Sequence, residues 1–171
     1  CYKTQLELIK SLDVTRPRSF SSCRFKTDIC FDLVDVVSYN IYPKWYHNTP
    51  VAMYLDDLYK WVQTTGGAGK PFLITEVGAG AIYGYRTPAK VKWSEEYQVL
   101  ALEEQLGAIL SYKGCSGVYI WQFCDVRVTN DWWNTRPRTM NNKGIVDEYR
   151  RPKLSYETVK RIFGSVDTYR K

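Results

Sequence analysis

The sequence predicts an α/β fold, in which helices and parallel strands alternate along the chain. Segments with apolar residues at helical spacing alternate about four times with short runs rich in β-branched and aromatic residues. These runs are almost continuously apolar, as in strands that are covered on both faces of a parallel sheet. The 171 residues are 44% apolar and 25% charged. They contain no linker or repeat, so we expect one domain over residues 1–171.

The first elements follow from periodicity and from Pro17. Residues 2–12 carry apolar side chains at helical spacing, and Pro17 prevents that helix from continuing because proline lacks an amide hydrogen. A short strand is expected at residues 18–22. Residues 33–40 are β-branched and nearly all apolar, which predicts a buried strand.

The next helix and strand are bounded by glycines. Residues 51–63 predict a helix, and the two glycines at 66–67 form its stop signal. Residues 70–75 then predict a second buried strand. We expect this strand to end at Glu76, before the glycine-rich turn at residues 78–80.

The last predicted elements are a long helix, a strand and a final helix. Ser94 is a suitable N-cap for a helix that runs to about Tyr112, with glutamates in its first turn. Residues 117–123 predict a third buried strand. Residues 155–163, which follow Pro152, predict the last helix.

Two architectures fit parallel strands joined by right-handed crossovers. A doubly wound sheet normally carries a glycine-rich phosphate loop after a strand, and no such motif is present here. A TIM (β/α)8 barrel takes about 250 residues, so about four βα units correspond to its C-terminal half, roughly strands 5–8. Half a barrel leaves two open strand edges. We therefore expect the missing N-terminal half of the barrel as a partner.

Composition excludes several other partners. The net charge is +6, but the basic residues are scattered, which argues against nucleic-acid binding. No apolar run is long enough to span a membrane, and no signal peptide opens the chain, so no membrane partner is expected. The five cysteines are odd in number and lack CxxC spacing, which argues against disulfides or bound metal and favours a cytoplasmic location. Cys115 and Cys124 are expected to be buried.

Two groups of candidate residues follow predicted strands, where a barrel places its catalytic groups. Residues 40–47 are rich in tyrosine and tryptophan, which suit the faces and hydroxyls of a sugar, although these rings could instead pack on one another. His47, the only histidine, is expected to be structural. Glu76 follows an apolar strand and precedes small residues, a position suited to a nucleophile or general base.

A third candidate group combines residues 121–125 with residues 136–144. In the second segment a lysine and an asparagine lie two positions apart, close to two arginines and a glycine. Such a loop suits a carboxylate or a phosphate. The alternative is a solvated loop without a ligand.

Taken together, six segments resemble the C-terminal half of the catalytic barrel of family-2 glycoside hydrolases, and within that family the β-glucuronidases. The resemblance runs from about Asp13 to Phe163. Each segment alone is weak, but the six keep their order and spacing. The segments are residues 13–17, 40–46, 75–79, 93–98, 120–123, and 141–144 with 151–153.

The resemblance implies a role for each matching side chain. Glu76 would be the nucleophile at the end of the seventh barrel strand, in agreement with its position. Tyr42 and Tyr46 would flank it, and Trp121 would form the floor of the sugar site. Asn40 and Trp45, in the same matching segment as the tyrosines, complete this part of the substrate-binding set.

The family's Asn-x-Lys pair, which contacts the C6 carboxylate of a uronic acid, matches Asn141 and Lys143. Relatives carry an arginine four residues before the asparagine, where this chain has Pro137. Either Arg136 or Arg138 is the candidate replacement.

The second carboxylate needed for catalysis lies outside the sequence. Retaining hydrolysis uses two carboxylates about 5 Å apart. In the family the acid/base is a glutamate at the end of the fourth strand, upstream of this segment. Of the nearby carboxylates, Asp125 is expected to orient neighbouring groups and Glu148 to be exposed to solvent.

The predicted function is hydrolysis of β-glucuronides by a retaining double displacement, with the segment inactive on its own. The alternatives are a β-galactosidase, a β-galacturonidase or a related exo-glycosidase, or a non-catalytic carbohydrate-binding fragment. The expected partner is a β-linked glycoside, and no metal or cofactor is implied. The resemblance also implies that the full-length protein is a homo-oligomer.

Overall fold

The computed structural model describes residues 2–129 and 136–166. Its centre is a parallel sheet of four strands that pair in chain order, and α-helices connect the second strand to the third and the third to the fourth. The strands are β1 (Ser21–Ser22), β2 (Val37–Asn40), β3 (Phe72–Val77) and β4 (Gly117–Ile120). The α-helices are α1 (Tyr2–Leu12), α2 (Val51–Thr64), α3 (Glu95–Ser111) and α4 (Leu154–Gly164). A separate antiparallel pair is formed by β5 (Val126–Arg127) and β6 (Met140–Asn141).

The four α-helices confirm the predicted helical segments, with ends that differ by at most one residue. The N-terminus of α3 shows the expected cap: Oγ of Ser94 accepts a 3.2 Å hydrogen bond from the amide of Tyr97. Glu95 and Glu96 lie in the first turn, where their charges complement the helix dipole.

The hydrophobic core lies between one face of the sheet and the helices. Phe72 and Ile74 of β3 are fully buried in it. Burying side chains of this size stabilises the fold by about 1.5–3 kcal/mol each. The helical partners in this core are Leu55, Leu58 and Val62 of α2 and Leu102, Leu106 and Ile109 of α3.

Side chains outside this core are more polar or more exposed. Oγ1 of Thr75 on β3 donates a 2.8 Å hydrogen bond to Oδ1 of Asn40 on β2. Tyr119 on the outermost strand β4 is 62% exposed. The sheet therefore ends at an uncovered edge on the β4 side, as expected for part of a barrel.

Three strands are shorter than predicted. Residues 33–36 precede β2, because the Asp35 carboxylate and amide both bind the backbone of Arg18 and hold this segment as a loop. Residues 121–123 leave β4, because the amide of Gln122 donates to the carbonyl of Lys143 in a neighbouring loop. The strand predicted at residues 18–22 is reduced to Ser21–Ser22.

The sequence predicted buried positions for Cys115 and Cys124 and a structural role for His47. Cys115 and Cys124 are half-buried rather than fully buried, and burial raises the pKa of the Cys115 thiol. His47 packs its ring on Tyr54 at a centroid distance of 4.9 Å. Cys1 lies outside the described residues.

Across the described part of the chain, every helix is too short or too polar to cross a bilayer.

Candidate active site

Glu76 lies within β3 rather than after it, so the predicted end of this strand was wrong. Its register partner on β2 is Asn40, and the pairing shifts between Tyr39 and Asn40. The pairing of β3 with β4 is also irregular between Ile74 and Val77. Such irregularities re-aim side chains. Thr75 and Glu76 consequently both make polar contacts outside the core, although alternation would send one of them into it.

Tyr42 contacts the carboxylate of Glu76 directly. Its hydroxyl donates a 2.5 Å hydrogen bond to Oε2 of Glu76. Burial, this hydrogen bond and the charge of Glu76 all raise the pKa of Tyr42. Tyr42 therefore remains a neutral donor to Oε2 of the Glu76 carboxylate.

Lys143 is a buried cation that lies among aromatic rings, including that of Tyr42. Its side chain is 2% exposed, and Nζ donates a 3.0 Å hydrogen bond to the hydroxyl of Tyr46. The ammonium also lies 5.1 Å from the ring centroid of Tyr42, 5.4 Å from that of Trp45 and 5.0 Å from that of Tyr46. Within residues 2–129 and 136–166 it makes no ion pair with a carboxylate. Among the described residues, the groups in contact with its ammonium are aromatic faces and a phenol oxygen.

Neighbouring groups lower the pKa of both Lys143 and Tyr46. Burial lowers the pKa of Lys143, although the bond to Tyr46 and the charge of Glu76 oppose this. Burial alone would raise the pKa of Tyr46, but Lys143 and Arg136 outweigh it, and that pKa is lowered. A carboxylate placed beside Lys143 would relieve the cost of burying the cation.

Asn141 and Arg136 complete this positive corner, whereas Arg138 does not. Oδ1 of Asn141 accepts hydrogen bonds from the Lys143 amide at 3.3 Å and from Nη1 of Arg136 at 3.5 Å. Nη2 of Arg136 donates to the Tyr46 hydroxyl at 3.4 Å. Arg138 instead pairs with Glu148 at 3.1 Å. The Glu148 side chain is 22% exposed, so the expectation of a solvent-exposed carboxylate was wrong.

The two candidate tryptophans occupy different environments. Trp121 is 39% exposed and can present its indole to a ligand. Trp45 is 4% exposed, because its ring is packed at 4.8 Å against Trp93 and at 6.3 Å against Tyr46. Burial of Trp45 conflicts with the expectation that it binds substrate directly. Its indole instead packs against the ring of Tyr46 and the ammonium of Lys143.

Gly78 allows β3 and β4 to approach closely beside Glu76. A Cβ atom at this position would lie 2.3 Å from the carbonyl oxygen of Trp121. Trp121 in turn donates its amide to the Val77 carbonyl at 2.9 Å. The glycine-rich turn seen in the sequence therefore reflects this backbone contact.

Two glutamines behind the site were not identified from the sequence. Nε2 of Gln98 donates to the carbonyls of Ala79 and Gly144, and Nε2 of Gln105 donates to the carbonyl of Pro43 at 2.7 Å. Both side chains are fully buried. The available signal was their seven-residue spacing along the apolar stripe of α3, where a polar residue needs a buried partner.

A comparison with known protein families shows which family the chain belongs to. The family model for the TIM barrel domain of glycosyl hydrolases family 2 matches residues 2–168. The chain belongs to glycosyl hydrolase family 2. The match also confirms the predicted fold class, an α/β chain from the C-terminal half of a TIM barrel.

Family-2 relatives include enzymes that act on uronides. The β-glucuronidase of Rattus norvegicus is 34% identical over 166 residues, covering 90% of this chain and 24% of its own. The crystal structure of a β-galacturonidase from Eisenbergiella tayi bound to galacturonate is 72% identical, with a TM-score of 0.95, and the match covers 99% of this chain and 30% of that one. A β-glucuronidase from an uncultured Clostridium sp. is 28% identical with a TM-score of 0.81, over 95% of this chain and 29% of its own. The family-2 segment therefore spans about a quarter to a third of the length of these relatives.

The carboxylates in the described residues of this family-2 segment have different surroundings. Glu76 contacts a tyrosine hydroxyl, Asp125 pairs with buried Lys153, and Glu148 pairs with Arg138. The pairing of Asp125 agrees with an orienting role. Among the described residues no three metal-ligating side chains come together.

Proposed function

We propose that the full-length protein hydrolyses β-linked uronides with retention of configuration, with Glu76 as the nucleophile. One observation carries this proposal: two tyrosines in edge-to-face contact lie between a carboxylate and a buried cation. Tyr42 binds Glu76, Tyr46 binds Lys143, and the centroids of the two phenol rings lie 5.3 Å apart. In this proposal one sugar ring binds along this arrangement, with its anomeric carbon at Glu76 and its carboxylate at Lys143.

In the first step, Oε1 of Glu76 forms a bond to the anomeric carbon as the bond to the leaving oxygen breaks. The leaving oxygen takes its proton from the acid/base glutamate, which the missing N-terminal half of the barrel supplies in this proposal. Water then attacks the anomeric carbon, loses a proton to the same glutamate and releases Glu76. Tyr42 holds the Glu76 carboxylate in the attacking orientation through its hydrogen bond to Oε2.

The carboxylate of the uronide binds at Lys143, Asn141 and Arg136 in this proposal. Lys143 and Arg136 supply positive charge, and Oδ1 of Asn141 accepts hydrogen bonds that align both. A buried ammonium discriminates strongly between a charged and a neutral substrate. Trp121 forms the floor of the site, Asn40 orients Thr75 beside the nucleophile, and Trp45 acts through the residues it packs against. Arg138 is left out of the set because it pairs with Glu148.

Among the uronides, we propose β-galacturonides as the preferred substrates, ahead of the β-glucuronides favoured by sequence motifs alone. The 72% identity to the Eisenbergiella tayi β-galacturonidase supports this order, since the identity to the β-glucuronidase of Rattus norvegicus is 34%. The two sugars differ only at C4. The Asn141–Lys143 pair serves both.

The test uses full-length enzyme and activated 2-deoxy-2-fluoro-β-uronosyl fluorides, whose fluoride leaving group needs little protonation. We expect a covalent adduct on Glu76, identified by peptide mass spectrometry, and faster labelling by the galacturonosyl than the glucuronosyl reagent. Glu76→Gln should give no adduct and lose several orders of magnitude in turnover. Glu148→Gln is the matched control and should label normally. Sugar binding without any adduct would instead support a non-catalytic carbohydrate-binding protein.

A further inference from the structure

Lys153, the residue before α4, is a second buried lysine close to the first. Its side chain is fully buried, and Nζ donates to three oxygen atoms. These are the carbonyl of Ala81 at 2.6 Å, Oδ1 of Asp125 at 2.8 Å and the carbonyl of Asn142 at 3.1 Å. Lys153 therefore joins three segments: the loop after β3, the segment after β4 and the loop that carries Lys143.

Asp125 extends this network to the other side of Lys143. Its Oδ1 also accepts a 2.8 Å hydrogen bond from the amide of Gly144. The network thus holds the carbonyl of residue 142 and the amide of residue 144, the two neighbours of Lys143. Gly144 is packed so closely that a Cβ atom there would lie 2.3 Å from the Asp125 amide nitrogen.

The start of α4 is fixed independently of the Lys153 side chain. The amide of Leu154 donates to Oε2 of Glu95 at 2.7 Å, and Oγ of Ser155 donates to Oε1 of Gln98 at 2.7 Å. Removal of the Lys153 ammonium consequently leaves the helix anchored. What it weakens is the hold on the loop around residues 142–144, where the carbonyl of Asn142 keeps only its 2.8 Å hydrogen bond from the amide of Ala81.

We propose that Lys153, acting with Asp125, is a positioning residue that sets the place of the Lys143 ammonium and so determines the preference for uronides over neutral hexosides. This inference rests on the proposed function. Lys153 does not contact the sugar; it acts through the backbone on both sides of Lys143. Its loss should therefore affect recognition of the substrate carboxylate far more than reaction at Glu76.

The test compares Lys153→Met with wild-type full-length enzyme on 4-nitrophenyl β-galacturonide and β-galactoside. Displacement of a recognition group by about 1 Å costs about a hundredfold, so we expect that loss in kcat/KM for the uronide, mostly in KM. The galactoside should change by no more than about twofold, as for an independent site. Arg161→Met is the matched control, because Arg161 lies in α4, the helix that follows Lys153, and forms an exposed ion pair with Glu103. This variant should change kcat/KM for neither substrate.

A second variant guards against misfolding. Lys153→Met with Asp125→Leu removes both buried charges, and an apolar replacement of a buried ion pair is often neutral or stabilising. This double variant should fold and show the same selective loss for the uronide. In a Lys143→Ala background, Lys153→Met should cause little further loss. Equal losses for uronide and galactoside, or a full further loss in the Lys143→Ala background, would overturn the proposal.

Amide hydrogen exchange separates this inference from the proposed function. In the Lys153→Met variant we expect faster exchange at residues 142–146 and unchanged exchange in β3 and α4. Unchanged exchange at residues 142–146 would overturn the positioning role whatever the activity. A wild-type enzyme that hydrolyses no uronide would overturn the proposed function, while the exchange data would still report whether Lys153 positions the loop.

Discussion

The hydroxyl of Tyr42 and the carboxylate of Glu76 form a 2.5 Å hydrogen bond, in which the tyrosine donates to Oε2. This bond links the loop after β2 to β3, the strand that carries Glu76. Because the pKa of Tyr42 is raised, the donor keeps its proton. The hydrogen bond gives the Glu76 carboxylate, the proposed nucleophile, a fixed orientation.

Tyr42→Phe is therefore expected to lower kcat by about tenfold to a hundredfold with a small change in KM, because hydrogen bonds to charged groups contribute about 1.5–3 kcal/mol. The measurement is steady-state kinetics on an aryl uronide. Tyr46→Phe is the comparison. It leaves the hydrogen bond between Tyr42 and Glu76 in place, and it should raise the uronide KM instead because it removes the phenol oxygen that binds Lys143. The same kinetic effect from both variants would argue against separate roles.

The two arginines offer a matched pair of substitutions. Arg136→Ala should raise the uronide KM by about tenfold or more, because Arg136 binds both Asn141 and Tyr46. Arg138→Ala should change it by no more than about twofold, because its partner is Glu148, away from Lys143. Kinetics with a uronide and a neutral galactoside check both. A larger effect from Arg138 would reverse the assignment.

The pH dependence of uronide binding should follow the Lys143–Tyr46 pair. The pKa of each partner is lowered, so the pair loses a proton at a lower pH than isolated side chains would. Loss of the Lys143 proton removes a positive charge, and loss of the Tyr46 proton adds a negative one. Either change weakens attraction for a carboxylate. We expect the uronide KM to rise as the pH increases, at a pH below the ordinary tyrosine and lysine pKa values of about 10, with a flat KM for a galactoside. Parallel profiles for both substrates would contradict this.

Gly78→Ala and Gly107→Ala should change stability in opposite directions. The added methyl group at residue 78 would meet the Trp121 carbonyl oxygen at 2.3 Å, a backbone atom that cannot move aside cheaply, so we expect a loss of about 3 kcal/mol or more. At residue 107, inside α3, the methyl group meets nothing within 4 Å, and alanine should stabilise the helix by about 0.5–1 kcal/mol. Thermal melting of both variants checks the signs. A tolerated Gly78→Ala would mean that β3 and β4 can separate at this point.

The sequence predicted the helices well because their apolar spacing and end signals are local. Ser94 and the glycines after α2 define helix ends without any tertiary contact. The position of Glu76 near the C-terminal end of an apolar strand, before a glycine turn, was equally visible, although the strand ends at Val77. The register irregularities that turn Glu76 away from the core were not, because they arise from pairing with two neighbouring strands.

The site residues that escaped prediction depend on contacts between distant segments. Nothing local distinguishes Arg136 from Arg138; only the tertiary contacts with Asn141 and Glu148 separate them. Burial of Trp45 depends on Trp93, which lies 48 positions later in the chain. Shortening of the strand before Trp121 reflects a loop that is also remote in sequence.

The uncovered β4 edge, with Tyr119 largely exposed, also marks a seam at which the enzyme could be divided. In the proposed function this segment carries the nucleophile and the carboxylate-binding group, and the other half of the barrel supplies the proton donor. On that proposal, two separately expressed polypeptides would each be inert and would regain turnover only on reassembly. Fused to two interacting proteins, such halves would form a split-enzyme reporter with a fluorogenic uronide as its signal.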